Sequence, residues 1–166
     1  MSRDYPDWID TEKAAQARRV FRGQVDADQL KRLDGLIVEG EGSEIEFEIS
    51  FSLDGQGQTL AVVKLKGELA LQCQRTLETF RHGVNSRSTV AILTDEAEEA
   101  SLPGDYESRL CTNQRLELLD LVGEEALLAL PLVPVDPNSE PMPDLETTAD
   151  THRPFATLGK LDKNSK

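Results

Sequence analysis

The chain has few cysteines, few aromatic residues and no long apolar run, and each absence excludes a class of protein. Its 166 residues include only two cysteines, Cys73 and Cys111, too few for the disulfide scaffold of a small secreted protein. No apolar run reaches the length that spans a bilayer. The N-terminal stretch MSRDYPDWIDTEK is charged and lacks the apolar core of a signal peptide. We therefore expect a soluble protein of the cytoplasm.

The sequence also lacks the motifs that carry catalysis or metal binding. It has no glycine-rich dinucleotide pattern, no phosphate-binding loop and no zinc-protease pattern. A zinc-binding cysteine pair is incomplete, because Thr76 stands where the second cysteine would be needed. Cys73 alternates in phase with Leu69 and Leu71, and His82 lies in a similar pattern, which is typical of core residues. We predict no metal site, no cofactor and no enzymatic activity.

The net charge of −13 is concentrated in one third of the chain. Residues 95–150 contain 15 acidic residues and only two basic ones, whereas the two kinds balance outside that window. An acidic surface repels nucleic acid and attracts basic partners, and both effects weaken with salt. The alternative is that the acidic residues only keep the protein soluble. The first interpretation predicts a basic protein as the partner.

Three alternating segments predict an antiparallel sheet. In residues 45–52 apolar and polar residues alternate strictly, as in a strand with one buried face and one wet face. Residues 63–73 and 80–92 alternate in the same way, and turn-forming residues separate the three segments. Consecutive strands with short connections form an antiparallel meander. A helical turn over residues 14–19 and a short buried strand at residues 36–38 are also expected.

One main helix is expected after these strands. Asp120 is a suitable N-cap residue, and apolar residues recur at helical spacing from Leu119 to Leu130. Pro131 ends the helix, because proline has no backbone N–H and displaces the preceding residue from helical angles. The fold class is therefore α+β: a mainly antiparallel meander packed by one main helix, with an acidic, partly disordered C-terminal region.

The residues after this helix form a proline-spaced segment. Pro131 and Pro134 favour an extended path. Leu132, Val133 and Val135 lie between and after the prolines, so we expect the segment to pack rather than to extend freely into solvent.

Composition divides the chain into four parts. Residues 1–13 are predicted to be a flexible N-terminus, and residues 14–135 to form the α+β domain. Residues 136–152 are rich in proline, serine, threonine and acidic residues, which predicts a disordered acidic linker. Residues 153–166 regain apolar character and are predicted to be a docking segment or a tail.

The polar face of the predicted sheet is a second candidate site. Residues 55–94 contain five basic and two acidic residues. Four of the basic residues are expected on the outward face: Lys64, Lys66, Arg81 and Arg87. Lys66 is expected opposite Arg87, and such like-charge neighbours are tolerable where an anion such as RNA phosphate covers them. The alternative is an ordinary solvated sheet face.

Three motifs occur in a fixed order along the chain. They are Leu71-Gln-Cys73-Gln-Arg75, the block from Asp120 through Glu124-Glu125 to Pro131-Leu-Val-Pro134-Val, and the terminal Pro154-Phe155-Ala156-x-Leu158. In order, spacing and chain length they resemble the bacterial YceD family, also called large ribosomal RNA subunit accumulation protein. The resemblance implies a role in the synthesis, processing or stability of large-subunit ribosomal RNA, and it supplies no catalytic residues. The chain departs from the family pattern where Thr76 replaces a second cysteine.

These observations together predict a non-enzymatic ribosome biogenesis factor that binds a basic ribosomal protein or a pre-ribosomal particle. The candidate partner-binding residues are Asp120, Glu124, Glu125, Pro131 and Pro134. The alternative is a direct RNA-binding protein whose contacts are Lys64, Lys66, Arg81 and Arg87. A third alternative, a small hydrolase, requires a deep pocket with converging carboxylates or His82.

Overall fold

The computed structural model describes residues 5–104 and 106–140. Its strands are β1 (Trp8–Asp10), β2 (Val20–Asp26), β3 (Glu44–Leu53), β4 (Thr59–Gln72), β5 (Thr79–Leu93), β6 (Glu107–Leu110) and β7 (Arg115–Glu117). Its helices are α1 (Thr11–Gln16) and α2 (Leu118–Leu128). Short 3₁₀ turns are formed by Ala27–Gln29, Lys31–Leu33 and Glu96–Ser101. The predicted α+β class with one main helix is confirmed.

A five-stranded sheet in the order β2-β3-β4-β5-β6 forms the body of the fold. The strands from β2 to β5 are an antiparallel meander, as predicted, and β6 adds to the edge in parallel with β5. β1 and β7 pair antiparallel in a separate two-stranded ribbon. No helix within the described ranges has the length and apolar character needed to cross a membrane.

One face of the sheet carries the core, because the sequence alternation matches the two-residue period of a strand. The buried residues on β3 are Ile45, Phe47, Ile49 and Phe51, and those on the same face of β4 include Val63, Leu65, Leu69 and Leu71. Helix α2 adds Leu118, Leu121, Val122 and Ala126 to the same cluster. Full burial of one large apolar side chain stabilises the fold by roughly 1.5–3 kcal/mol.

The N-terminal residues take part in this core, which corrects the expected flexible lead-in for residues 5–13. Tyr5 is buried, and its ring meets the Phe47 ring edge to face with centroids 4.9 Å apart. Gly23 leaves room for this contact, since a Cβ there would lie 2.5 Å from the Tyr5 ring. Residues 136–140, predicted to begin the disordered linker, are held by hydrogen bonds from Asp136 to Cys73 and from Arg75 to Ser139. The other predicted divisions of the chain remain predictions, and residues 141–166 lie outside the described part.

Residues 36–38 do not form the predicted strand. Ile37 is buried, but Leu36 is 49% exposed, and only the Val38 N–H donates a hydrogen bond to a strand, reaching the Ala70 carbonyl oxygen at 2.8 Å. Gly35 and Gly40 flank the segment with positive φ angles of 72° and 76°. Such angles turn the backbone out of a sheet at both ends, so Ile37 enters the core although the segment forms no strand.

Both helices begin at residues other than those predicted. α1 begins at Thr11, because the Asp10 side chain accepts a hydrogen bond from the Lys13 N–H and caps the first turn. α2 begins at Leu118, directly after β7, and Asp120 lies in its first turn instead of at the cap. An acidic residue in the first turn is still favourable, since it faces the positive end of the helix dipole.

Candidate partner-binding surface

The loop between β4 and β5 fixes the segment that follows α2. We call residues 131–135 the proline segment. The Gln74 N–H donates to the Pro134 carbonyl oxygen at 2.8 Å, and the Arg75 guanidinium donates to Ser139 Oγ at 2.6 Å. Two motifs that carry the family resemblance are therefore in direct contact, although they are far apart in sequence.

Cys73 is the buried centre of this contact. Its Sγ accepts a hydrogen bond from the Asp136 N–H at 3.4 Å and lies 3.8 Å from Ser139 Oγ. The Asp136 N–H is the largest of the influences that lower the pKa of Cys73 to about 6. Hydrogen bonds from Thr76 and Arg75 act in the same direction, and burial opposes them. The hydrogen bond that lowers this pKa most is thus also one that joins Cys73 to the chain just after the proline segment.

The apolar side chains of the proline segment are exposed, so the expectation that they pack is wrong. Leu132 is fully exposed, Val133 is 64% exposed and Val135 is also exposed. Leu128 in the last turn of α2 is 63% exposed. We call Leu128, Leu132 and Val133 the apolar strip. The chain is anchored beside Val133, at the Pro134 carbonyl oxygen, whereas the side chains of the strip face water.

A groove of about 360 Å³ adjoins the apolar strip. Its apolar walls are Leu36, Ile37, Val38, Leu71, Leu130, Pro131, Leu132 and Pro134. Single exposed apolar residues are ordinary on a protein surface, but several of them beside a groove are typical of an interaction site. The predicted contact residues Pro131 and Pro134 both line this groove.

The predicted contact residues Asp120 and Glu124 are paired within the protein. Arg109 on β6 donates hydrogen bonds to both carboxylates. Arg32 donates to Asp120 at 3.1 Å and lies 4.0 Å from Glu124. Burial acts to raise the pKa of Asp120, but the bonds and charges of Arg32 and Arg109 outweigh it and lower that pKa. These carboxylates join α2 to its neighbours, and their charge is largely compensated.

Glu125 points into the fold and is only 4% exposed. The Ser88 hydroxyl on β5 donates a hydrogen bond to its carboxylate. Burial raises the pKa of Glu125 to about 7, Glu107 adds to the increase, and the Ser88 bond opposes it. The carboxylate is therefore not on the surface where we expected it to meet a partner.

The predicted RNA-binding cations lie on the exposed sheet face, but acidic residues lie among them. In the β3–β4 pair Lys64 is opposite Glu48 and Lys66 is opposite Glu46. The Lys64 ammonium donates to the Glu48 carboxylate at 2.7 Å. The side chains of neighbouring strands therefore balance much of the positive charge on β4.

The remaining cations on this face are on β5. Arg81 is exposed and donates to the backbone oxygen of Glu41. Arg87 lies opposite Lys64, and not opposite Lys66 as expected. The hairpin loop fixes this register, which a sequence pattern alone cannot set. The sheet face thus carries charges of both signs, and like charges are opposite each other at Lys64 and Arg87 and also where Glu44 lies between Asp26 and Glu68.

Sequence reasoning missed a second surface feature, the stacking of Arg115 on Trp8. The guanidinium carbon lies 4.1 Å from the centroid of the Trp8 ring. Both residues lie on strands of only three residues, too short for alternation to distinguish them from loops. Sequence patterns likewise give no sign that Arg75 binds Ser139 just beyond the proline segment. Among residues 5–104 and 106–140, no cluster of His, Cys, Asp and Glu is arranged to hold a metal ion.

The fold and this surface define a small α+β protein with an apolar strip beside a groove. Residues 61–162 match the family model described as Large ribosomal RNA subunit accumulation protein YceD. The matched range contains most of β4, and all of β5, α2 and the proline segment. The chain therefore belongs to the YceD family.

A curated relative supports this assignment. The large ribosomal RNA subunit accumulation protein YceD of Haemophilus influenzae is 30% identical over 132 residues, which cover 78% of this chain and 75% of the relative. No solved structure matches the chain.

Proposed function

We propose that this protein is a non-enzymatic ribosome biogenesis factor of the cytoplasm that supports the synthesis, processing or stability of large-subunit ribosomal RNA. The family description and the name of the H. influenzae relative both refer to accumulation of this RNA. A protein can support RNA accumulation by binding alone, and the apolar strip is a feature that binding would use.

The observation that carries the proposal is the fixed exposure of the apolar strip. Gln74 holds the backbone of the proline segment at Pro134, and Cys73 and Arg75 hold Asp136 and Ser139 just after it, while Leu132 and Val133 remain in water. Apolar surface left in water is unfavourable by about 25 cal/mol per Å², and covering it would recover that free energy. A segment already fixed in place also loses little conformational entropy when it binds. We therefore assign the strip to contact with a protein partner.

A basic ribosomal protein is the partner that the charge of this molecule favours. The net charge is −13, so approach of a cationic protein would be accelerated at low salt. Glu96, Glu117 and Glu140 are exposed and have no ion pair with any residue of the described ranges. They supply free negative charge, whereas Asp120 and Glu124 are already paired.

Retention of purified ribosomal proteins tests this proposal. The full chain would be immobilised and exposed to the proteins extracted from purified large ribosomal subunits, at low and at moderate salt. We expect a basic protein to be retained, and less of it as salt rises. Because burial of each side chain contributes roughly 1.5–3 kcal/mol, Leu132→Ser combined with Val133→Ser should reduce retention at least tenfold.

A matched control uses two exposed apolar residues away from the strip. Val20 and Leu53 are 45% and 42% exposed on β2 and β3, and Val20→Ser with Leu53→Ser should leave retention unchanged. The proposal is wrong if no ribosomal protein is retained at either salt. Equal losses in the two double variants would also contradict it, since the strip would then have no special role.

A further inference from the structure

A second pocket, of about 470 Å³, lies between the β1–β7 ribbon, the neighbouring 3₁₀ turns and the start of α2. One wall is Trp8, which is 48% exposed and is the only tryptophan in the chain. The charged side chains around it include Lys31, Arg32, Arg115 and Glu117. The pocket contains no residue of the apolar strip, so it is a separate site.

The register of the β1–β7 ribbon explains why Trp8 is exposed. Ile9 lies opposite Leu116, and both side chains are buried. Because neighbouring residues of a strand face opposite sides, Trp8 and Arg115 must then point outward. The Leu118 N–H donates to the Asp7 backbone oxygen at 3.2 Å and secures the strand beside the tryptophan. The ring is therefore presented on regular structure, and a large exposed aromatic ring on a fixed strand is typical of a binding site.

The free charge in the pocket favours an anionic ligand. Lys31 and Arg115 have no ion pair with any residue in the described part of the chain. Arg32 is paired with Asp120, and the carboxylate of Asp120 also accepts a hydrogen bond from Arg109. Asp7 also lines the pocket and has an interaction of its own. The charged groups left free in the pocket therefore include the cations of Lys31 and Arg115 and the carboxylate of Glu117.

These groups match the parts of a nucleotide. A nucleobase is flat and stacks on aromatic rings and on guanidinium planes, and single-stranded RNA is commonly bound in this way. Phosphate oxygens accept hydrogen bonds from lysine and arginine. A carboxylate accepts a hydrogen bond from the exocyclic amino group of a base such as cytosine. Glu117 is opposite Trp8 in the ribbon, so it lies at the side of any base stacked there.

We propose that this pocket binds one nucleotide of single-stranded RNA. The base adds to the stack of Trp8 and Arg115, the phosphate contacts Lys31, and Glu117 accepts a hydrogen bond from a base amino group. The inference rests on the proposed function only for the source of the RNA, since the site is defined by its own residues.

The fluorescence of the single tryptophan reports directly on this site. Short oligocytidine and oligouridine RNAs would be added to the full chain at low salt, with excitation at wavelengths that only tryptophan absorbs. We expect saturable quenching by oligocytidine and weaker binding of oligouridine, because uracil has no exocyclic amino group. Glu117→Gln should reduce the difference between the two RNAs.

Variants can be compared through the anisotropy of a labelled oligocytidine. Trp8→Leu should weaken binding about 5- to 150-fold, the range expected for stacking of one base on an aromatic side chain. Lys31→Gln should weaken binding and lower the salt slope by about 0.7, the value for one phosphate contact with a single strand. Lys66→Gln is the matched control, since it removes an exposed cation from the sheet face, and it should leave binding unchanged.

The proposal is overturned if oligocytidine does not quench the tryptophan or if Trp8→Leu, still folded by circular dichroism, binds as tightly as the parent chain. Loss of binding in Lys66→Gln would assign RNA to the sheet face instead. Quenching by a lysine-rich peptide, with none by RNA, would assign the pocket to a basic protein. The Leu132→Ser, Val133→Ser variant should keep its RNA binding, so failure of the protein-partner proposal and failure of this one are distinguishable.

Discussion

Replacing Glu125 with glutamine is expected to stabilise the fold at neutral and alkaline pH and to have little effect at acidic pH. The buried carboxylate lies between α2 and β5, where burial raises its pKa from the ordinary value of 4.5 to about 7. Glutamine has nearly the same shape, and its amide oxygen can still accept the Ser88 hydroxyl. The substitution therefore removes an unfavourable charge without creating a cavity.

The pH range of this effect follows from the two pKa values. Below about pH 4.5 the carboxyl is protonated in both the folded and the unfolded chain, so its ionisation costs no stability. As pH rises toward 7 the unfolded chain ionises first, and the stability that the raised pKa contributes is lost. One pKa unit corresponds to about 1.36 kcal/mol, so the full shift is worth about 3 kcal/mol, and roughly 1–3 kcal/mol after solvent screening is allowed for.

Urea unfolding at several pH values between about 4 and 8 measures this difference. Glu125→Gln should raise the free energy of unfolding at pH 8, and the gain should disappear near pH 4. Glu124→Gln is the control, since it makes the same chemical change one residue earlier. Because it breaks the ion pair with Arg109, it should destabilise the fold at pH 8. A gain from Glu125→Gln that is the same at both ends of the pH range, or a loss at pH 8, would refute the reasoning.

Three further substitutions test the packing of the fold, each by chemical denaturation. Leu121→Ala should lower the free energy of unfolding by about 2–5 kcal/mol because Leu121 is buried. Leu130→Ala should lower it by only about 1 kcal/mol because Leu130 is half-buried. Equal losses in the two variants would contradict this ranking. Gly67→Ala should cost about 1–3 kcal/mol, because its Cβ would lie 2.2 Å from the Glu44 backbone oxygen and would push β3 and β4 apart. An alanine variant as stable as the parent would show that this close approach is not needed.

The long strands were predictable because each has one buried and one wet face. The alternation of Ile45 through Phe51 matches the observed burial of β3 residue by residue. The β1–β7 ribbon was not predictable, because each strand has three residues and its partner is more than 100 positions away. Pairing over such a distance depends on the whole fold, which brings Ile9 against Leu116.

The start of the main helix shows how a local preference is overridden. Asp120 has the better capping side chain, yet the helix begins at Leu118 because the ribbon leads the chain directly into it. Asp120 is held instead by Arg109 and by Arg32, which lies 88 positions earlier in the sequence. Local propensity cannot anticipate an ion pair over that distance.

The candidate site was predictable in its parts but not in its geometry. The motifs around Cys73 and Pro134 were visible in the sequence, whereas their contact depends on where the β4–β5 loop lies. The burial of Glu125 had a detectable signal. It is seven residues after Leu118 and four after Leu121, which places all three on one side of a helix. That signal becomes useful only when the true helix start is known.

The β1–β7 ribbon also determines when the protein can finish folding. Trp8 is synthesised early, but its partner Glu117 is added more than 100 residues later. At about 5–20 residues per second, the first strand waits for roughly 5–20 s of translation before its partner exists. The N-terminal strand is therefore among the last parts of the chain to reach its native place, and a nascent chain that stalls before Arg115 leaves Ile9 without the neighbour that buries it.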